Sequence, residues 1–166
     1  MSTSEIMGLG DDQMSNMFRI SFPTGIPGGG DGKSLAMRMD QSLDIPERAV
    51  STYEFFFKGK KVTKTGTSEE SATDLTFDIR LDQGWQQYDS LSNWLKLVAD
   101  FEKGVFMDSA SCQTSMVFEA IGRNDEVVKT IVFKGVVLKG LNISAWDNGG
   151  TDPTRVTANF IFLSYD

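Results

Sequence analysis

Hydrophobic and polar residues alternate without a break from Asp74 to Asp82. Leu75, Phe77, Ile79 and Leu81 fall on one side, and Thr76, Asp78, Arg80 and Asp82 on the other. A period of two predicts a β-strand with one buried face and one wet face. Past Gln83-Gly84 the period changes. Leu91, Trp94, Leu95, Val98 and Phe101 are spaced as one stripe of an amphipathic helix. Asp89 or Ser90 can cap its start, and Lys103-Gly104 supplies a cation and a flexible residue at its end. The expected helix therefore covers about 89–102, and no comparable helical pattern occurs elsewhere.

The rest of the chain reads as strands and turns. Phe18–Phe22 alternates, and Pro23–Lys33 is a glycine- and proline-rich loop. Leu35–Met39 alternates again and predicts a second strand, and Asp40–Arg48 is an irregular link containing Pro46. Tyr53–Lys64 is rich in aromatic and β-branched residues, with a bend or hairpin tip at Lys58-Gly59-Lys60-Lys61, and Thr63–Ala72 is polar. Ser115–Ile121 and Val127–Val137 flank a hairpin turn at Gly122-Arg123-Asn124-Asp125. Leu141–Trp146 is a further strand, Asp147–Pro153 a turn, and Arg155–Tyr165 the closing strand. That strand carries Val156, Ala158, Phe160 and Phe162 on one face. The other face carries Ile161, Leu163 and Tyr165, so its second half is expected to be covered on both sides, by the helix or by a neighbouring subunit. The expectation is a mainly β protein of about eight strands and one flanking helix, closed as a sandwich or barrel to hide its edges. The polar, Met-rich 1–17 segment reads as an N-terminal arm, and 18–166 as one β domain.

Composition narrows the function classes. At 166 residues with 40% hydrophobic positions and 12 Phe, the chain can bury a sizeable core. No apolar run approaches the roughly 18 residues of a membrane-spanning helix, so insertion of the chain into a membrane is not expected. Met1–Met17 has neither the basic nor the apolar region of a secretory signal. Cys112 stands alone, which fits a reducing compartment. A net charge of −7 argues against a nucleic-acid binder, but not against a surface that DNA slides past. The absence of His removes the commonest general base and the commonest zinc ligand.

Candidate chemistry is thin. Gly28-Gly29-Gly30-Asp31-Gly32-Lys33-Ser34 invites a phosphate-loop reading, but Pro27 stands where the first glycine belongs, and the strand expected at Leu35–Met39 is the wrong context. The carboxylates Asp11-Asp12, Glu69-Glu70, Asp78 with Asp82, and Asp125-Glu126 fall on wet faces or in polar turns, where solvation explains them. Asp147–Asp152 lacks a calcium-loop pattern. Trp85, Trp94 and Trp146 are possible stacking platforms for sugars or single strands, and Trp94 belongs to the helix stripe and hence the core. No metal or other cofactor is implied. A many-stranded chain without catalytic apparatus points to a structural, non-enzymatic role.

The order of elements then matters more than any one residue. A short strand, a second strand and a proline link precede the aromatic hairpin Tyr53-Glu54-Phe55-Phe56-Phe57-Lys58-Gly59. Next come a strand entering a Trp-bearing helix, Ile131-Val132-Phe133-Lys134-Gly135-Val136, Leu141-Asn142-Ile143-Ser144-Ala145-Trp146-Asp147, and a terminal Phe162-Leu163-Ser164-Tyr165-Asp166. From Met17 to Asp166 the chain resembles the tail tube proteins of contractile-tailed bacteriophages, a fold similar to the Hcp tube protein of type VI secretion. Tube proteins often carry an aromatic-Pro step after the Phe-Lys-Gly glycine, where this chain has Val137-Leu138-Lys139. Its arm and glycine-rich loop are also longer than the minimal pattern.

The resemblance implies a β-sandwich or barrel-like tail-tube fold whose copies form hexameric rings. The rings stack head-to-tail into the inner tube of a contractile tail and conduct the genome. The implied partners are other copies, the tail sheath protein, the baseplate tube-initiator, the tail terminator, the tape-measure protein and DNA passing without sequence-specific binding. The implied location is the virion tail, assembled in the host bacterial cytoplasm. Within Asp44–Thr67, the bend at Lys58, Gly59, Lys60 and Lys61 is the candidate inter-ring contact. Thr76, Asp78 and Arg80 are candidates for the lumen, and Lys96, Asp100 and Lys103 on the helix's outer face are candidates for the sheath. Rivals are a baseplate tube-initiator or injection-system tube, a monomeric carbohydrate-binding β-sandwich using Trp85 or Trp146, and a hydrolase with two converging carboxylates.

Overall fold

A computed structural model describes residues 17–39, 45–71, 73–100, 103–106, 109–144, 146 and 149–166. The 1–16 portion of the expected arm therefore lies outside the described residues, as do Phe101 of the helix stripe and Asp147-Asn148 of the expected turn. In chain order the elements are β1 (Phe18–Ser21), α1 (Gly32–Arg38), β2 (Arg48–Phe57), β3 (Lys60–Ser71), β4 (Asp74–Arg80), α2 (Gln86–Val98), β5 (Ala99–Asp100) and β6 (Val105–Phe106). A 3-10 turn at Ser109–Cys112 follows, then β7 (Thr114–Ile121), β8 (Val127–Ile143), β9 (Arg155–Ile161) and β10 (Ser164–Tyr165). The protein is mainly β, as the alternation predicts.

One antiparallel sheet follows the path β1-β7-β8-β9-β4, with β10 also on β8. The 17-residue β8 holds it together. Its first half lies beside β7 and β10 and its second half beside β9. The sequence predicts two strands here, Val127–Val137 and Leu141–Trp146, whereas the structure has one strand with two irregularities. Register shifts between Thr114 and Met116 opposite Phe133–Val136, and again between Leu138 and Gly140. The first extra residue turns the inward face over after Phe133, so Val136 and Leu138 are buried with it, and the second turns it again after Leu138, toward half-buried Leu141 and Ile143.

The inward residues join one core. Leu75, Phe77 and Ile79 of β4 meet Val156, Ala158 and Phe160 of β9, with Leu91 and Trp94 of α2, Leu35 of α1 and Met116 of β7. Trp94 is fully buried, and its indole N–H donates to the Cys112 carbonyl at 2.9 Å. Cys112 itself is buried.

Two local expectations are corrected. Leu35–Met39 is not a strand: Gly32–Arg38 is a second helix, and only Met39 makes a bridge, to Ile79. The Asp31 carboxylate accepts from the Lys33 N–H and caps the start. Leu35 and Met39, four residues apart, are both buried. Over five residues an apolar pair at this spacing fits either period, and the cap decides. Among the described residues there are therefore two α-helices, where the sequence predicts one. The boundaries of α2 also move from about 89–102 to Gln86–Val98. Its first N–H, that of Gln86, is met by Asp82 Oδ1 at 3.1 Å, and not by Asp89 or Ser90. At its other end the chain turns extended at Ala99, and β5 pairs with β6 across a turn containing Gly104 at φ +63°.

The glycine-rich loop is packed rather than open. A Cβ on Gly30 would meet Ile26 Cδ1 at 2.5 Å and Ser90 Cβ at 2.8 Å, so the loop can lie on α2 only without a side chain there. A helix does follow Lys33-Ser34, so the contextual objection to a phosphate loop falls. The spacing objection at Pro27 stands, and the loop's backbone is pressed against α2.

Candidate functional site

The strands β2 and β3 pair with each other and with no other strand among the described residues. Their turn is Lys58-Gly59, both at positive φ (48° and 77°), flanked by the Phe57–Lys60 pair. Two consecutive positive-φ residues make the tight turn whose twist suits a hairpin. The bend expected at Lys58-Gly59-Lys60-Lys61 is thus a hairpin tip, and all four residues are exposed.

The hairpin keeps its apolar surface in water. Tyr53, Phe56 and Phe57 are exposed, Phe56 by 77%. The register puts Tyr53, Phe55 and Phe57 on one face with Lys64, Val62 and Lys60. Tyr53 stacks on Phe55, Lys64 sits over the Phe55 ring at 5.4 Å, and Lys58 sits over Phe57 at 5.6 Å. The opposite face carries Glu54 and Lys61, which form an ion pair at 2.7 Å. A two-stranded ribbon is marginal alone in water. This one is tied at its root, where the Tyr165 hydroxyl donates to the Pro46 carbonyl at 2.7 Å and Arg48 lies over the Tyr165 ring.

The candidate lumen residues are brought together. Thr76, Asp78 and Arg80 all lie on the outer face of β4, away from the core. The Thr76 hydroxyl donates to Asn159 at 3.0 Å, and Thr157 donates to Asp78 at 2.7 Å. Arg80 faces Arg155 in register, and Lys139 pairs with Asp74 at 3.6 Å. This face is polar and mixed in charge, so the chain's overall acidity is not concentrated on it.

The candidate sheath residues are split. Lys96 is exposed on the last turn of α2. Asp100 lies in β5 and Lys103 in the turn after it. They hold each other through the Lys103 N–H to Asp100 Oδ1 at 3.2 Å and an ammonium–carboxylate contact at 3.8 Å. The shorter helix is the reason: residues 99–100 are extended, so the face expected to carry all three does not exist.

Sequence reasoning missed two features. Gln87, polar and on the helix, is buried; its amide donates to Ser34 at 3.2 Å and its carbonyl accepts from Asp82 N. It stitches α2 to α1, and no spacing rule marks it. The second is the aromatic group of Trp85, Tyr88 and Trp146. Trp85 stands 5.7 Å from Trp146 and 5.6 Å from Tyr88, ring centre to ring centre. Trp146 is 72% exposed. The two Trp residues are 61 positions apart in sequence, and only the ends of β4 and β8 bring them together.

Ile161 and Leu163 are exposed, Leu163 by 73%. The helix does not cover that face of the closing strand. Among the described residues, no group of three or more His, Cys, Asp or Glu side chains is placed to hold a metal ion, and no helix is long and apolar enough to cross a membrane.

No protein-family model matches the sequence, and no curated protein matches it. Solved structures do match the fold. A chain in the cryo-EM structure of an extracellular contractile injection system, the PVC sheath/tube terminator in the extended state, aligns with a TM-score of 0.67 at 12% identity, over 95% of this chain and 97% of that one. A chain of the anti-feeding prophage (AFP) baseplate aligns at 0.65 and 8% identity, over 95% and 96%. A chain of the PVC sheath-tube complex in its extended state aligns at 0.58 and 12% identity, over 100% and 97%. The chain therefore has, over nearly its whole length, a fold found in chains of the PVC sheath/tube terminator, the PVC sheath-tube complex and the AFP baseplate.

Proposed function

We propose that this chain is a non-enzymatic structural subunit of a contractile tail. In this reading it forms hexameric rings that stack head-to-tail as the inner tube and conduit for genome delivery. The observation that carries it is the freestanding β2–β3 hairpin, with exposed Tyr53, Phe56 and Phe57, on a fold shared with chains of contractile injection systems. A surface-projecting aromatic ribbon is a liability in a monomer and an asset in a polymer. The strand path ends at β1 and β4; among the described residues no strand pairs with their outer edges, β4's carrying the Met39–Ile79 bridge, and these edges can pair with neighbours in a ring. A heterologous contact of this kind closes in the ring plane and propagates along the axis.

Lys58, Gly59, Lys60 and Lys61 then make the inter-ring contact. Thr76, Asp78 and Arg80 line the lumen as a polar ladder without a basic stripe to hold phosphate. Lys96, with Asp100 and Lys103 nearby, faces the sheath. The partners are copies of this chain, the sheath, a tube-initiator, a terminator, a tape-measure protein and the passing DNA. A baseplate tube-initiator or an injection-system tube would use the same contacts; similar folds in an AFP baseplate and a PVC sheath-tube complex support keeping both readings. A monomeric carbohydrate-binding β-sandwich is favoured by one observation, the exposed Trp146 beside Trp85.

Negative-stain electron microscopy of the purified chain at high concentration tests this. Hollow rods or six-fold rings are expected, and deletion of Lys58–Lys64 should stop growth while the fold persists. Monomers at every concentration that bind a glycan would overturn the tube reading.

A further inference from the structure

The hairpin and the Trp85–Trp146 group sit at opposite ends of one sheet. At one end of β4, Asp74 faces Ile161; at the other, Arg80 faces Arg155. The hairpin enters β4 at the Asp74 end, where the Thr73 carbonyl accepts from Phe162 N. Its other root, Pro46, is held by Tyr165 just beyond Ile161. Trp85 follows the far end of β4, and Trp146 follows Ile143, which faces Val156 at that same far end. Seven residues of β4 put roughly 20 Å between the two ends.

The two ends are also complementary. The hairpin offers ammonium groups at Lys58, Lys60 and Lys64 beside aromatic rings, and its own Lys58–Phe57 and Lys64–Phe55 contacts show the geometry it favours. The far end offers the rings of Trp85, Tyr88 and Trp146 at the start of α2. Arg80 and Arg155 lie at this end of the strands, while Asp82, bonded to Gln86 N, and the exposed Asp89 put negative charge on the first turn of α2 beside the rings. Indole faces and carboxylates both attract ammonium ions, and Trp is the strongest ring for it.

We propose that Trp85, Tyr88 and Trp146 form the seat that receives the β2–β3 hairpin tip of a second copy of this chain. The contact is head-to-tail, because the hairpin's root and the seat lie at opposite ends of β4. It rests on the hairpin being the stacking element, and adds where that element lands. Lys58 and Lys60 reach the indole faces and Asp89, while Phe56 and Phe57 lose their exposure.

Complementation between variants of the full chain tests it. Lys58→Glu with Lys60→Glu disables the donor, and Trp146→Ala or Asp89→Lys disables the seat. All replace exposed side chains, so far-UV circular dichroism should match the parent. Each variant alone is expected to raise the protein concentration needed for rod growth at least about tenfold, roughly 1.4 kcal/mol per contact. Mixing the lysine variant with the Trp146→Ala chain should give short stacked complexes by sedimentation velocity and no rods, since each supplies what the other lacks only once. Placing Asp89→Lys in the Lys58→Glu, Lys60→Glu chain should recover part of the growth. Normal rods from both Trp146→Ala and Asp89→Lys, with the lysine variant still blocked, would overturn the seat and leave the stacking hairpin. Normal rods from the lysine variant would overturn the hairpin reading itself. Loss of glycan binding in Trp146→Ala with unchanged rods would assign the cluster to sugar and overturn the proposal.

Discussion

Leu163 fills the space that a side chain on Gly135 would need. A Cβ built on Gly135 lies 2.6 Å from Leu163 Cδ1 and 2.7 Å from Cγ, and Gly135 sits at φ +67°. Leu163 N donates to the carbonyl of Lys134, the neighbouring residue, at 2.9 Å. This is where β8 takes its extra residue and turns Val136 inward after Phe133. The glycine of the Phe-Lys-Gly signature is therefore the hinge of the longest strand.

Gly135→Ala is expected to cost about 1–2 kcal/mol, chiefly from the left-handed backbone, because exposed Leu163 can swing aside. Gly135→Asn should cost less, as Asn tolerates that region. Urea unfolding of the monomer checks both. Equal stability of all three chains would mean the bulge is not held at Gly135.

Gly30 offers a different test of close packing. Gly30→Ala places a methyl against Ile26 Cδ1 and Ser90 Cβ and should destabilise by ~1–3 kcal/mol through overpacking. Adding Ser90→Ala should not rescue it, because the Cβ remains. Thermal melts of the single and double variants read this out.

Trp94→Phe should lose about 1–3 kcal/mol by stranding the Cys112 carbonyl inside the core. Trp94→Ala should lose about 3–5 kcal/mol by opening a cavity among Leu91, Phe160 and Met116. The order Phe above Ala in denaturant midpoint is the expected outcome.

Asp166 gives a pH prediction. Its carboxylate accepts a hydrogen bond from Lys134, which with the charge of Lys134 and then Arg48 holds its pKa below the usual carboxylate range. A depressed folded-state pKa contributes stability above the unfolded value, and that contribution is lost as pH falls through the folded value. The pair is exposed, so the effect is small. Wild type and Asp166→Asn should differ slightly at neutral pH and converge in acid, below the ordinary carboxylate range. Parallel stability curves down to acid unfolding would remove the pair from the ledger.

Much of the fold was legible because its signals are local. The β4 alternation maps residue for residue onto buried Leu75, Phe77 and Ile79 and exposed Thr76, Asp78 and Arg80. The Leu91 and Trp94 stripe is core, and the turns at Lys58-Gly59 and Gly122–Asp125 are hairpin turns. The misread segments are those whose local signal is ambiguous. Leu35–Met39 offers five residues that suit either period, and a capping Asp31 outside the window settles it. The α2 boundaries depend on Asp82, two residues past the end of β4, whose carboxylate meets the first helical N–H.

By itself the sequence determined the mainly β class, the amphipathic stripe of α2 and the hairpin tip. Each of these is written in neighbouring residues a few positions apart. Only the tertiary structure decided that β8 is one bulged strand, that the β2–β3 hairpin pairs with no other strand among the described residues, and that Trp85 meets Trp146 at the far end of the sheet from its root. The physical reason is that pairing register and sheet ends join residues far apart along the chain, and no local period encodes which strand a strand will find.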